Sequence, residues 1–236
     1  MLEVRNITFS YRANKILRDV SFVVSPGETV CIAGDNGAGK TTLLKILATI
    51  MEPDGGSVRL DGHDALKSPL AFRRTLGYMP ETPALYEDMT PHAYLNYRAR
   101  LKGEPEKRIK RRVGEAAEMC RISQIMSKPI GTLSYGLKKR VALADAMLLR
   151  PRVLLLDDAL AGLDRQMRAA AGEIISSAAA FSSVIATGHE TADLAKWATR
   201  FLVLDSGRIS ATIPAQGLDA ATVASRVDSM LKGVSR

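Results

Sequence analysis

The sequence predicts an α/β fold built around a mainly parallel sheet, with a helical segment set between two of its strands. Three patterns predict it. Short β-branched apolar runs alternate with helix-like segments, the order expected where crossover helices cover a parallel sheet. The alternation stops between about residues 81 and 150, where 91–149 reads as helices punctuated by Gly103, Pro105, Pro129 and Gly131. Finally, one glycine-rich loop stands directly between a strand and a helix, at 34–41.

Taken in chain order, strands are expected at 2–8, 20–24, 29–33, 57–60, 76–79, 153–156, 183–187, 201–204 and 208–212. The run 2–8 alternates apolar and polar residues and reads as a half-buried strand. The runs 29–33 and 153–156 are continuously apolar, the mark of strands covered on both faces. A helix is expected over 40–49, opened by the loop before it. A weakly amphipathic helix with a frayed end is expected from 220 to about 231, its role unreadable.

The 236 residues carry 33 Lys and Arg against 25 Asp and Glu, a net charge of +8, with 46% of residues apolar. Such a chain can build a core without disulfide or metal staples. Its longest apolar stretches fall far short of the roughly 18 residues that cross a bilayer. The N-terminus has no uncharged core followed by a cleavage site, so a cytosolic chain is expected. Cys31 and Cys120 are far apart with no CxxC partner, which removes support for a zinc site, and Cys31 is expected in the core. No repeat or low-complexity tract is visible.

The loop Gly34-Asp35-Asn36-Gly37-Ala38-Gly39-Lys40-Thr41 matches GxxxxGK[ST] and lies between the strand 29–33 and the helix it opens. Glycines let such a backbone curl so that its N–H groups and the helix N-terminus face a polyphosphate. Lys40 is then expected at the β and γ phosphates, and the Thr41 hydroxyl on Mg²⁺. A phosphate loop of this kind needs a carboxylate at the end of a neighbouring strand. The run 153–156 supplies it as Asp157, the metal candidate, and Asp158 follows where a general base for an attacking water would stand.

Further segments make the chain resemble the ATP-binding cassette (ABC) ATPases over about 2–212. Leu133-Ser134-Tyr135-Gly136-Leu137 resembles the LSGGQ signature, with Ser134 and Gly136 matching, Tyr135 in place of a glycine and Leu137 in place of the glutamine. Gly77-Tyr78-Met79-Pro80-Glu81 resembles the Q-loop, with Glu81 replacing the glutamine and offering an oxygen to Mg²⁺ or water. Gly162-Leu163-Asp164 resembles the D-loop, His189 the switch histidine that touches the γ-phosphate, and Tyr11 the aromatic that stacks on adenine. The stretch 78–90 resembles cassettes of ABC-2 type exporters.

The resemblance implies a P-loop NTPase with a RecA-like core, an N-terminal antiparallel β-subdomain and an inserted α-helical subdomain. It implies one ABC ATPase domain over 1–236, with core at 1–81 and 151–236 and the helical part at about 82–150. It implies an ATP-hydrolysing transporter subunit, of ABC-2 export type, that binds ATP and Mg²⁺ and drives a separate transmembrane permease by dimer closure. The second ATPase subunit can be a copy or a different cassette. In each composite site Tyr11, Asn36, Gly37, Ala38, Gly39, Lys40, Thr41, Thr42, Glu81, Asp157, Asp158 and His189 come from one copy. Ser134, Gly136 and Asp164 come from the other. Catalysis falls to Asp158, His189 and Glu81, and the metal to Thr41, Glu81 and Asp157. Such a subunit is cytoplasmic and peripheral on the inner face of the cell membrane.

The family normally has Glu-Pro where this chain has Asp158-Ala159. The shorter carboxylate holds a water about an ångström further away, a misplacement that can cost on the order of 10²-fold in rate. A slow or non-hydrolysing cassette paired with a competent partner is therefore an alternative, as is a soluble ATP-dependent regulator. The eight basic residues Arg98, Arg100, Lys102, Lys107, Arg108, Lys110, Arg111 and Arg112 read as a solvated helix face, a surface near anionic headgroups, or a nucleic-acid contact. No recognition helix or interleaved aromatics point to a specific nucleic acid.

Overall fold

The computed structural model describes residues 1–234; 235–236, where the frayed end was expected to finish, lie outside the described residues. Ten strands and eight α-helices follow in the order β1 (Leu2–Tyr11), β2 (Asn14–Val24), β3 (Thr29–Ala33), α1 (Lys40–Leu47), β4 (Gly55–Leu60), β5 (His63–Asp64), α2 (Pro69–Arg73), β6 (Leu76–Met79), α3 (Pro91–Leu101), α4 (Glu106–Met119), α5 (Tyr135–Met147), β7 (Val153–Leu156), α6 (Arg165–Ala178), β8 (Ser183–Thr187), α7 (Thr191–Leu194), β9 (Arg200–Asp205), β10 (Arg208–Pro214) and α8 (Ala220–Val234).

They form two sheets. The first, in the order β2-β1-β4-β5, is antiparallel throughout; the second runs β10-β9-β3-β8-β7-β6. In the second, every pairing from β9 to β6 is parallel and only the β10 edge is antiparallel. The expected α/β fold of a P-loop NTPase is thus present.

Strand periodicity divides the core in two. On β3, Val30 and Ile32 face a cluster with Leu2, Ile7, Leu17 and Leu44 of the first sheet and α1, while Cys31 and Ala33 face the helices on the other side. Val153 and Leu155 of β7 join the first cluster, and Leu154 and Leu156 the second. Alternation by two places every second side chain on each face, so a strand buried on both faces must be apolar throughout.

Between β6 and β7 the chain leaves the sheet and builds α3, α4 and α5, which pack on the second cluster through Leu95, Ile109, Val113 and Val141. Thr90 caps α3 by accepting from the Ala93 amide at 3.2 Å, with Pro91 at the first helical position. α8 lays Val223 and Val227 on the second cluster, and Thr191 of α7 donates to Asp228 at 3.2 Å.

The expected strands at 29–33, 76–79, 153–156 and 183–187 coincide with β3, β6, β7 and β8. The first two strands run further, to Tyr11 and back from Asn14, because cross-strand pairing holds their polar turn-side residues in register. β5 was not expected, although Asp61-Gly62, both at positive φ (49° and 82°), is a hairpin signal. α1 stops at Leu47 rather than 49 because Thr49 takes φ 56°.

The basic run is only in part a solvated face, since Arg100, Lys107, Arg108, Lys110 and Arg111 are exposed and the other three are not. Arg98 and Lys102 turn inward to Asp145, Arg100 pairs with Glu106, Arg111 with Glu115, and Arg112 with Glu104 and Glu115. Lys107, Arg108 and Lys110 remain exposed. No described helix is long and apolar enough to cross a membrane.

Candidate functional site

The loop between β3 and α1 positions the site. Gly39 takes φ 105° at the N-cap of α1, a left-handed conformation that a side chain would strain. A Cβ on Gly34 would stand 2.3 Å from the Leu204 carbonyl oxygen, so only glycine lets the loop cross β9 this closely. The Lys40 ammonium lies under the loop, donating to the carbonyl oxygens of Gly34 at 2.7 Å and Asp35 at 3.0 Å. Burial draws it below the ordinary lysine range, against the opposing pull of Asp158, Asp35, Asp157 and Glu81.

Four strand ends converge on the same place. Asp157, directly after β7, is 2% exposed. Its Oδ1 accepts from Thr41 at 3.1 Å and from Thr187, the last residue of β8, at 2.9 Å. The Tyr78 hydroxyl of β6 is buried beside Asp157, and burial, with the neighbouring Asp157 charge, pushes it up to about 12. Asp158 stands in a left-handed backbone with φ 44°, a region Asp tolerates better than most side chains. Its amide donates to Thr187 Oγ1 at 3.0 Å, and its carboxylate Oδ2 lies 3.8 Å from His189 Nε2. Burial raises the Asp158 carboxyl above the usual carboxylate range; His189 opposes this, whereas Glu81 adds to it.

These side chains line one cleft of about 290 Å³, walled by Ile16, Asn36, Gly37, Gly39, Lys40, Thr41, Thr42, Glu81, Asp157, Asp158, Thr187 and His189. Ten of the residues singled out in the sequence therefore meet, although they come from four separate stretches of chain. Ala38 is buried behind the loop, its amide donating to Asp35 at 3.2 Å.

Tyr11, Ser134, Gly136 and Asp164 do not line the cleft. Tyr11 is half exposed, meets Phe9 edge-to-face with ring centroids 4.9 Å apart, and directs its hydroxyl at Met51 Sδ, 3.4 Å away. Ser134 caps α5 and Asp164 caps α6, where it accepts from the Met167 amide at 2.8 Å. Gly136 is buried, and a Cβ there would stand 2.2 Å from Met167 Sδ.

Sequence reasoning missed Thr187, whose hydroxyl bridges Asp157 and the Asp158 amide. The available signal was a hydroxyl residue ending an apolar strand two positions before His189. A larger cleft of about 640 Å³ lies between β4–β5 and α2. Two of the cations lining it, Arg59 and Arg152, are paired, with Asp64 at 3.7 Å and Asp61 at 2.6 Å.

Chemically, the cleft offers loop amides and one ammonium for phosphate oxygens, and hydroxyl and carboxylate oxygens for a hard cation. Among the described residues no cluster of three or more His, Cys, Asp or Glu could hold a metal. The Thr41 hydroxyl beside the Asp157 carboxylate suits an ion such as Mg²⁺, which takes one or two carboxylates and completes its shell with water and substrate phosphates. Thr41 and Asp157 are the donors in contact with each other.

The ABC transporter family (ABC_tran) matches residues 17–161. The chain is 32% identical over 210 residues to an uncharacterized ABC transporter ATP-binding protein, YxlF, of Bacillus subtilis, covering 89% of this chain and 70% of that protein. It is 37% identical over 168 residues to the spermidine/putrescine import ATP-binding protein PotA of Aggregatibacter actinomycetemcomitans, covering 71% of this chain. The match spans 45% of PotA, less than half of that relative. Among solved structures, a dimeric post-hydrolysis state of the ATP-binding cassette MJ0796, bound to ADP and Pi, superposes with a TM-score of 0.82 at 21% identity. That match covers 92% of this chain and 100% of the other.

Proposed function

The chain belongs to the ABC transporter family, and from that premise we propose that it is the ATP-binding and ATP-hydrolysing subunit of a transporter. The observation that carries this reading is the single cleft into which the glycine loop, Asp157, Asp158, Glu81 and His189 all open. In it, the amides of 37–42 and Lys40 bind the β and γ phosphates of ATP. Mg²⁺ held by Thr41, Asp157 and Glu81 supplies charge neutralisation on those phosphates. Asp158 orients the attacking water and takes its proton, a role favoured by a carboxyl held above its usual range. His189, 3.8 Å from that carboxylate, faces the γ-phosphate side.

Ser134, Gly136, Asp164 and Tyr11 complete the site from outside the cleft. Ser134 and Asp164 stand at exposed helix N-termini, which suit them to meet the nucleotide of a second cassette in a head-to-tail dimer. The dimeric state of MJ0796 supports that arrangement. Tyr11 lies exposed at the turn end of β1, where adenine would stack. The segment 82–150 moves as a unit against a core of 1–81 and 151–236 and passes dimer closure to a transmembrane permease. The complex sits on the inner face of the cell membrane. Export of ABC-2 type rests on the stretch 78–90 and is weighed against PotA, which serves import.

A second reading, a cassette that closes on ATP with slow turnover, is favoured by the short Asp158 carboxylate. The deciding experiment is steady-state phosphate release with Mg-ATP for wild type, Asp158→Glu and Lys40→Ala. Wild-type turnover above the Lys40→Ala background supports the motor. Equal rates overturn it, and a gain in Asp158→Glu then assigns the defect to the missing methylene.

A further inference from the structure

Lys139 is a cation that the mechanism above does not use. It stands in the second turn of α5 and is 3% exposed. Its ammonium donates to the Glu81 carbonyl oxygen at 2.8 Å and to the Asp158 carbonyl oxygen at 3.3 Å, with the Tyr135 ring centroid 5.6 Å away. Among the described residues no carboxylate forms an ion pair with it. Burial draws it below the ordinary lysine range, against the pull of Asp158, Glu81 and Asp157. A methionine would fill much of the same volume without desolvating a charge. The ammonium therefore stands out for what it holds.

It holds the backbones of two loops that end neighbouring strands. One follows β6 and carries Glu81; the other follows β7 and carries Asp158, and both side chains line the phosphate cleft. Asp158 needs such a restraint, because a left-handed backbone is costly for any side chain. Thr187 fixes its amide at 3.0 Å, and Lys139 and the Ala161 amide fix its carbonyl. At the same helix start, Gly136 rests on Met167 of α6, and the Tyr135 ring lies against Gly162, where a Cβ would stand 2.9 Å from it.

We infer that Lys139 is a positioning residue for hydrolysis. It locks the backbones of Glu81 and Asp158 in one register with the start of α5, so the two carboxylates and the helix start bearing Ser134 respond together to nucleotide. The inference rests on the reading of the cleft as an ATPase site.

The test compares Lys139→Met, which keeps the stem and removes the ammonium, with Lys139→Arg, which keeps the charge, in the full chain with Mg-ATP. Lys139→Met is expected to lower kcat about 10²-fold, the scale of a misplaced catalytic group, with KM within about threefold and an unchanged melting midpoint; Lys139→Arg recovers about tenfold of the loss. A Lys139→Met kcat within twofold of wild type, or a fall that only tracks the folded fraction, overturns the inference. If Lys139→Met does not fold, Lys139→Gln takes its place with an expected loss of about tenfold, and a wild-type kcat overturns the inference equally. If wild type itself releases no phosphate above Lys40→Ala, the ATPase reading fails separately. Lys139 is then judged by amide hydrogen exchange at 158–161, expected at least tenfold faster in the variant, and unchanged protection overturns its role.

Discussion

Two buried aspartates of this chain stand in opposite electrostatic surroundings. Asp145, in α5, is 7% exposed and has its charge answered twice: Lys102 Nζ lies 2.7 Å away and Arg98 Nε at 3.0 Å, with the Tyr94 hydroxyl at 3.3 Å. Asp157, after β7, is as deeply buried but receives only hydroxyl hydrogen bonds, and Glu81 beside it has no ion pair among the described residues. Burial alone would raise the Asp145 carboxyl, yet Lys102 and Arg98 hold it below the usual carboxylate range. Asp158, whose carboxylate has His189 Nε2 3.8 Å away and no ion pair with a lysine or arginine among the described residues, is raised instead by burial. A buried charge with its counter-charge in place ties α3 to α5. Charges left without one mark where a cation and a polyphosphate complete the structure.

The comparison breaks most readily at Asp157. Asp157→Asn keeps an acceptor for Thr41 and Thr187, so it should leave the melting midpoint nearly unchanged while lowering phosphate release by at least about 10²-fold. A variant that kept its rate would remove Asp157 from the site. Asp145→Ala should do the reverse. Leaving Arg98 and Lys102 buried and unpaired costs about 3–5 kcal/mol, a midpoint fall of roughly 6–20 °C for a chain of this size. Phosphate release per folded molecule should stay within a few-fold; a midpoint within 2 °C of wild type contradicts this reading.

The two regions should also respond to acid with opposite signs. The lowered Asp145 carboxyl stabilises the fold at pH above its ordinary value of 3.8, and that contribution disappears as pH falls through its folded value. The raised Asp158 carboxyl contributes only at low pH, and its contribution is lost as pH rises through its folded value. Asp158→Asn should therefore be more stable than wild type at neutral pH and equal to it below about pH 3.8; urea melts at both values check this, and a less stable variant at neutral pH contradicts it. The smallest effect belongs to an exposed pair. Arg121 meets Glu173 at 2.7 Å with both side chains more than half exposed, and Arg121→Ala should change stability by no more than about 1 kcal/mol.

In the second sheet β3, β7 and β8, and the edge strand β6, were legible to the residue because short, mainly apolar runs mark strands packed against other layers. The first sheet was less legible. β5 is two residues long and depends on pairing with β4, and the turn-side halves of β1 and β2 carry polar residues that only their hairpin aligns. The basic run 98–112 read as one charged surface, but Arg98 and Lys102 lie within one or two helical turns on α3 and its cap, turned toward Asp145 on a helix more than 40 residues later. Lys139 and Thr187 carried no motif of their own. Each matters through a carboxylate-bearing loop that is remote in sequence, Glu81 being 58 positions from Lys139.

By itself the sequence determined the phosphate loop, the strand that ends at Asp157 and the family to which they belong. Those features depend on backbone conformations and hydrophobic periods set by residues a few positions apart. Tertiary structure decided which carboxylates are neutralised and which face the cleft uncompensated, and it decided that Lys139 and Thr187 fix the Asp158 backbone. Coulombic and hydrogen-bond energies depend on separation in space, and folding brings residues 30 to 116 positions apart within about 3 Å of one another.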